Sequence, residues 1–214
     1  MVDTIHITYL FDPLCGWCYG ASAKLEQLAA RPDIELQLAP TGLFSGAGGR
    51  PMDAGFAAYA WASDQRIGKL SGQPFSEDYR SKVLGDHTGS INSGPATLAL
   101  TAVALTAPEQ EFEALKAIQK ARYVEGRDIT DIAVLGDILR SLELNKAAEC
   151  LAASDAELIG ANQDRVASAN ADTRKFGANG VPNLIVGDGV KRRLVAGGAL
   201  FESLETLVED LKAA

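Results

Sequence analysis

Cys15-Gly16-Trp17-Cys18 is the stretch of this chain whose residue types and spacing can do chemistry. Two thiols separated by two residues stand one turn apart on a helix, so one sulfur can reach the other without rearrangement of the backbone. The pair lies between an alternating apolar run, Ile5, Ile7 and Tyr9, and a run at helical spacing, Ala21, Leu25, Leu28 and Ala29. A Cys-x-x-Cys placed where a strand hands over to a helix is expected to be a thiol redox site. Free amide donors and the positive end of the helix dipole face the first cysteine there and favour its thiolate. Cys15 is therefore the expected nucleophile. Cys18 is the expected resolving thiol, which displaces a substrate held on Cys15 as a mixed disulfide.

Other readings of these residues are weaker on chemical grounds. A tetrahedral zinc site needs four ligands, and the remaining soft candidates, Cys150, His6 and His87, are scattered and never at ligand spacing. A purely structural bridge within four residues closes a very small loop and contributes little stability. Cys150 lies in an Ala-rich helical context and reads as a small buried hydrophobe, while His6 and His87 read as structural or solvated. Trp17 is either a packing aromatic or a substrate contact. Asp12 either takes protons or caps the turn, and no other base is evident for Cys15. The glycine-rich Ser45-Gly46-Ala47-Gly48-Gly49-Arg50 lacks the Gly-Lys-Ser/Thr ending of a phosphate loop and reads as a flexible loop.

The elements that must hold the cysteines follow from periodicity. Ile5 to Tyr9 is a strand stopped by Asp12-Pro13, residues 18–30 are a helix, and Ile34, Leu36 and Leu38 form a second strand closed by Pro40. Past Pro51, helical patterns follow one another at about 53–70, 75–84, 93–106, 109–124, 130–143 and 154–176. Asn92-Ser93-Gly94-Pro95 reads as a cap with a first-turn proline, and Asp128 or Thr130 as the cap of the run from Ile132. Strands return at Asn183 to Val186 and Lys191 to Val195 around a Gly187-Asp188-Gly189 hairpin signal, and Leu200 to Leu211 closes as an amphipathic helix. The order β-α-β, helices, β-β-α is that of a thioredoxin fold, an α/β class, with an inserted all-helical subdomain. Residues 1–50 and 170–214 are expected to form the thioredoxin-like domain and 51–169 the helical insertion. In such a fold the loop entering the third strand carries a cis-proline facing the cysteines, which makes Val181 and Pro182, with Trp17, the expected substrate-binding residues.

Composition excludes several classes. The chain has 214 residues, 47% hydrophobic and 22% charged, which suits a folded protein with a sizeable core. Its formal charge is −8, from 20 Lys and Arg against 28 Asp and Glu, so no basic face is expected for nucleic acid or an anionic membrane. No run of 18 apolar residues occurs and no export signal is visible at the start. Three cysteines are too few for a disulfide scaffold and fit a reducing compartment. A cytoplasmic location is the expectation.

The motifs also resemble a known family. Asp12-Pro13-Leu14-Cys15-Gly16-Trp17-Cys18-Tyr19-Gly20 is similar to the active-site signature of the DsbA-like thioredoxin superfamily, in particular its cytosolic branch of predicted protein-disulfide isomerases. Thr41-Gly42-Leu43-Phe44, Asn92-Ser93-Gly94-Pro95-Ala96 and Phe176-Gly177-Ala178-Asn179-Gly180-Val181-Pro182 resemble further blocks of that group. Two departures are visible: Gly16-Trp17 replaces the Pro-His of DsbA itself, and Asn183 follows the proline. The resemblance implies a thiol-disulfide oxidoreductase or isomerase whose first cysteine attacks and whose second resolves. It implies no cofactor beyond exchange with glutathione, and partners that are disulfide-containing proteins or small thiols. The alternative is a glutathione-dependent enzyme of the 2-hydroxychromene-2-carboxylate isomerase or kappa-class transferase type, which typically carries serine in place of Cys15. A non-catalytic binding module is a third reading.

Overall fold

A computed structural model describes residues 4–213. Residues 1–3 and 214, the outer ends of the expected thioredoxin-like domain, lie outside it. The chain opens with β1 (Ile5–Phe11), α1 (Gly16–Ala29) and β2 (Ile34–Pro40), with β2 parallel to β1 and Tyr9 opposite Leu38. It closes with β5 (Asn183–Val186), β6 (Arg193–Ala196) and α8 (Leu204–Lys212). The sheet order is β2-β1-β5-β6, with β5 antiparallel to β1 and β6 antiparallel to β5. Between the two halves lie β3 (Arg50–Pro51), α2 (Ala54–Ser71), β4 (Ser90–Ile91), α3 (Gly94–Thr106), α4 (Glu111–Tyr123), α5 (Ile132–Ser141), α6 (Asn145–Ala153) and α7 (Ala156–Phe176). This is a thioredoxin fold with inserted helices.

β1 is the central strand and is covered on both faces, which is why Tyr9, Leu10 and Phe11 are all fully buried. Ile7, Tyr9 and Phe11 join the main core with α1 and the inserted helices. Leu10 points the other way, into a small cluster with Ile185 and Ala169 of α7. Each such large side chain contributes about 1.5–3 kcal/mol on burial. β1 therefore cannot shift register without exposing both sets, and the residue that follows it is held in a fixed place.

Several local expectations are refined. The connection between β5 and β6 is a six-residue turn with a short 3-10 segment, Gly189–Lys191, wider than the glycine signal implies. Asp131, whose carboxylate accepts from Ala133 N at 2.8 Å, caps α5; Asp128 instead closes its own turn with Thr130 at 2.9 Å. The segment expected at 75–84 is wound as a π-helix over Tyr79–Leu84. Helix α6 is absent from the periodic reading, because it spans only nine residues and carries a single large aliphatic side chain, Leu151. The glycine-rich loop holds a 3-10 turn at Gly46–Gly48 and then pairs Arg50 with Ile91. Helix α7 runs unbroken through residue 170.

Candidate active site

Cys15 is the residue at which β1's exit loop turns into α1, with extended backbone at φ −83° and ψ 117°. The loop is shaped by Asp12, whose carbonyl accepts from Cys15 N at 3.0 Å and whose Oδ1 accepts from Leu14 N at 2.8 Å. The Cys15 side chain does not cap the helix. Its thiol donates instead to the carbonyl of Val181 at 3.6 Å. The Val181-Pro182 bond is cis, and residues 166 apart in sequence meet here at the end of the sheet.

The two thiols differ in environment. Cys15 is 8% exposed, whereas Cys18 is 1% exposed and lies one turn deeper. Burial, and then pairing with Cys15, push the Cys18 thiol well above the usual thiol range. Trp17, between them, is 36% exposed and stands edge-on to Phe201 with ring centroids 5.3 Å apart. Exposure thus falls from Trp17 to Cys15 to Cys18 around the start of α1.

Asp12 is completely buried, and its carboxylate is a junction. Oδ2 accepts from Phe44 N at 3.1 Å and from the Ser93 hydroxyl at 2.7 Å, while Oδ1 holds Leu14 N. One side chain therefore ties the cysteine loop to the chain after β2 and to the start of α3. Burial raises its pKa above the ordinary carboxylate value, and the Ser93, Leu14 and Phe44 donors oppose that shift. With its oxygens engaged by three donors, Asp12 builds the loop; it is not a free base beside Cys15. Ser93 spends its hydroxyl on Asp12 and leaves the α3 terminus to Asn92, whose Oδ1 accepts from Gly94 N at 2.9 Å.

Asn183 performs a similar task for the opposite loop. Its amide donates to Gly180 O at 2.9 Å, and its Oδ1 accepts from Gly197 N at 3.0 Å, tying the turn before Pro182 to the end of β6. A side chain on Gly197 would collide with Pro182 O, so this glycine is required by close approach.

Beneath the site the inserted helices supply a buried aromatic and charged cluster. The Tyr123 hydroxyl donates to Leu14 O at 2.7 Å, and its ring stacks on Tyr19 at 4.7 Å. Tyr79 packs against Tyr123 and donates to Asp64 Oδ2 at 2.9 Å. Arg122 is buried, with its guanidinium 5.5 Å from the Tyr79 ring centroid. Asp64 reaches the motif itself, because a Cβ built on Gly16 would run into Asp64 Oδ1. Sequence reasoning passed over Asp64, Arg122 and the bridging role of Asn183. A signal for Asp64 was present: Ala60, Ser63, Asp64, Ile67 and Ser71 share one face of α2, an acid on an otherwise small or apolar stripe. Cys150 is partly exposed on α6, and His6 pairs with Glu35 at 3.0 Å on the sheet's far end. Among the described residues no three His, Cys, Asp or Glu side chains are grouped to hold a metal.

This fold and dithiol define a class, and the comparisons agree with it. The model of the DSBA-like thioredoxin domain matches residues 6–212, and the chain belongs to that family. Among solved structures it is similar to the cytosolic disulfide reductase DsbM from Pseudomonas aeruginosa, at 30% identity and TM-score 0.84, covering 97% of each chain. A second structure of that reductase, with GSH, matches at 30% identity and TM-score 0.82, again over 97% of each chain. A putative protein disulfide isomerase from Nitrosomonas europaea shares the fold at 22% identity and TM-score 0.80, over 97% of this chain and 95% of that one. So does a 2-hydroxychromene-2-carboxylate isomerase, at 17% identity and TM-score 0.66, over 96% and 95% of the two chains. No curated protein matches the sequence at a significant level.

Proposed function

We propose that the protein is a cytoplasmic thiol-disulfide oxidoreductase that reduces or isomerises disulfides through Cys15 and Cys18 and exchanges electrons with glutathione. The observation that carries this reading is the graded pair: Cys15 at the surface end of α1 against Val181 O, and Cys18 fully buried one turn behind it. In the forward half-reaction the Cys15 thiolate attacks one sulfur of a substrate disulfide, and the other sulfur leaves as a thiol. Cys18 gives up its proton and attacks Cys15 sulfur, which releases the second substrate thiol and leaves a Cys15-Cys18 disulfide. Two electrons have passed to the substrate, and two glutathione molecules return them as glutathione disulfide. Trp17, Val181 and Pro182 form the substrate-facing rim in this reading. The division into 1–50 with 170–214 and 51–169 assigns the cysteines to one part and the supporting cluster to the other, with α7 spanning the boundary. The similarity to a reductase called cytosolic, solved also with GSH, supports the location and the co-substrate.

The test is a pair of measurements. Equilibration in glutathione redox buffers gives a reversible two-electron transition for the wild type. Cys18→Ser accumulates a mixed disulfide with a model substrate, visible by non-reducing mass spectrometry, because the intramolecular displacement is lost. Cys15→Ser forms almost none, and Cys150→Ser behaves like the wild type. A trap formed equally on Cys15→Ser overturns the roles. A glutathione-dependent activity indifferent to both substitutions replaces this reading with the isomerase or transferase one.

A further inference from the structure

The glycine in the middle of the motif is occupied space. Gly16 is the first residue of α1, and the volume its missing side chain leaves is filled by Asp64 Oδ1 from α2. Gly20, one turn on, receives Ile67 and Phe201 in the same way. Two glycines at i and i+4 thus let α2 approach α1 closely, and the side chain delivered to the first turn is a carboxyl. Asp64 is 5% exposed, and its other oxygen is held by the Tyr79 hydroxyl at 2.9 Å. The group therefore cannot swing away without leaving a buried hydroxyl unpaired.

We propose that Asp64 is a positioning residue for the dithiol: its carboxyl, seated on Gly16, shares the positive end of α1 with Cys15 and sets by its charge how readily Cys15 becomes the attacking thiolate. The inference rests on the dithiol reading above. Two anions near one helix terminus repel each other, so ionised Asp64 holds back the Cys15 thiolate and neutral Asp64 does not. The groups facing Asp64 are Tyr79 in the π-helical segment and Arg122 and Tyr123 on α4, and its Oδ1 rests on Gly16, the residue that follows Cys15. Burial lifts the Asp64 pKa to about 6, against the opposing pull of the Tyr79 hydroxyl and the Arg122 guanidinium. Its charge thus changes within the range where thiol exchange proceeds. Gly16 is part of the same device, since any side chain there displaces the carboxyl even though alanine is the better helix former.

The experiment is the rate of Cys15 alkylation by iodoacetamide in reduced protein carrying Cys150→Ser, followed from about pH 4 to about pH 9. The wild-type profile has a shoulder near the Asp64 transition. Asp64→Asn loses the shoulder and reacts about threefold or more faster above it. Tyr79→Phe removes the donor on Oδ2 and moves the shoulder to higher pH. An Asp64→Asn profile superimposed on the wild type overturns the proposal; should that variant fail to fold, an unmoved shoulder in Tyr79→Phe does the same. Alkylation needs no turnover, so absence of exchange between the wild type and glutathione disulfide sinks the functional reading separately.

Discussion

Two buried carboxyls approach the cysteine motif from different parts of the molecule, and they are held differently. Asp12, at the end of the sheet's central strand, is engaged by three donors, one from its own loop and two from distant segments. Asp64, on the first inserted helix, has the single donor Tyr79 and rests against a glycine. Both are raised above the ordinary carboxylate range by burial. The contrast teaches that burial alone does not assign a role. A carboxyl engaged by three donors organises loops, whereas one with a single donor and a glycine beside it is free for the role proposed for Asp64.

The largest expected effect breaks the Asp12 side of this comparison. Asp12→Ala leaves Leu14 N, Phe44 N and the Ser93 hydroxyl without their acceptor, at about 1–3 kcal/mol for each buried donor left unsatisfied. A loss of about 3 kcal/mol or more is expected in denaturant unfolding, and a loss below about 1 kcal/mol removes Asp12 from its junction role.

Asp64→Asn sharpens the other side and acts in the opposite direction. Because the folded-state pKa of Asp64 is raised, to about 6, its ionised form is disfavoured in the folded protein. The wild type carries no such cost below about pH 4, loses stability as pH rises through about 4 to 6, and is level above that. The asparagine variant has no charge to bury and still accepts from Tyr79. Its advantage in thermal unfolding is expected to appear across that window and to reach at most about 3 kcal/mol. A variant less stable than the wild type at every pH contradicts the assignment.

The smallest effect concerns the loop facing Cys15. Asn183→Ala removes the bonds to Gly180 O and Gly197 N, at about 1 kcal/mol each, while the helices stay folded by circular dichroism. Exchange with a model disulfide is expected to slow more than stability falls, because the Val181 carbonyl loses its support. Equal retention of rate and stability shows that β6 alone fixes the loop.

Much of this architecture is legible in short windows. The alternation of Ile5, Ile7 and Tyr9, the helical spacing after Cys18 and the proline before Asn183 depend on neighbours in the chain, and each appears where local periodicity places it. The blocks at 12–20, 41–44, 92–96 and 176–182 are recognisable as motifs, but their common reason is tertiary. Phe44 and Ser93 converge on Asp12, and Val181 on Cys15. Local patterns were least informative where an element was short, as in nine-residue α6, or where polar residues crowded one turn, as at α5, whose cap is Asp131 and neither of the expected Asp128 and Thr130.

By itself the sequence determined the dithiol and its local setting: two thiols one turn apart at the start of a helix, since covalent spacing and helix geometry are properties of adjacent residues. Which side chains surround those thiols was decided only in three dimensions. Asp64 lies 48 positions from Gly16, and nothing along α2 records that its inward stripe meets the two glycines of α1. Helix faces declare that they are buried, not against what, because the choice of partner follows from the packing of whole elements.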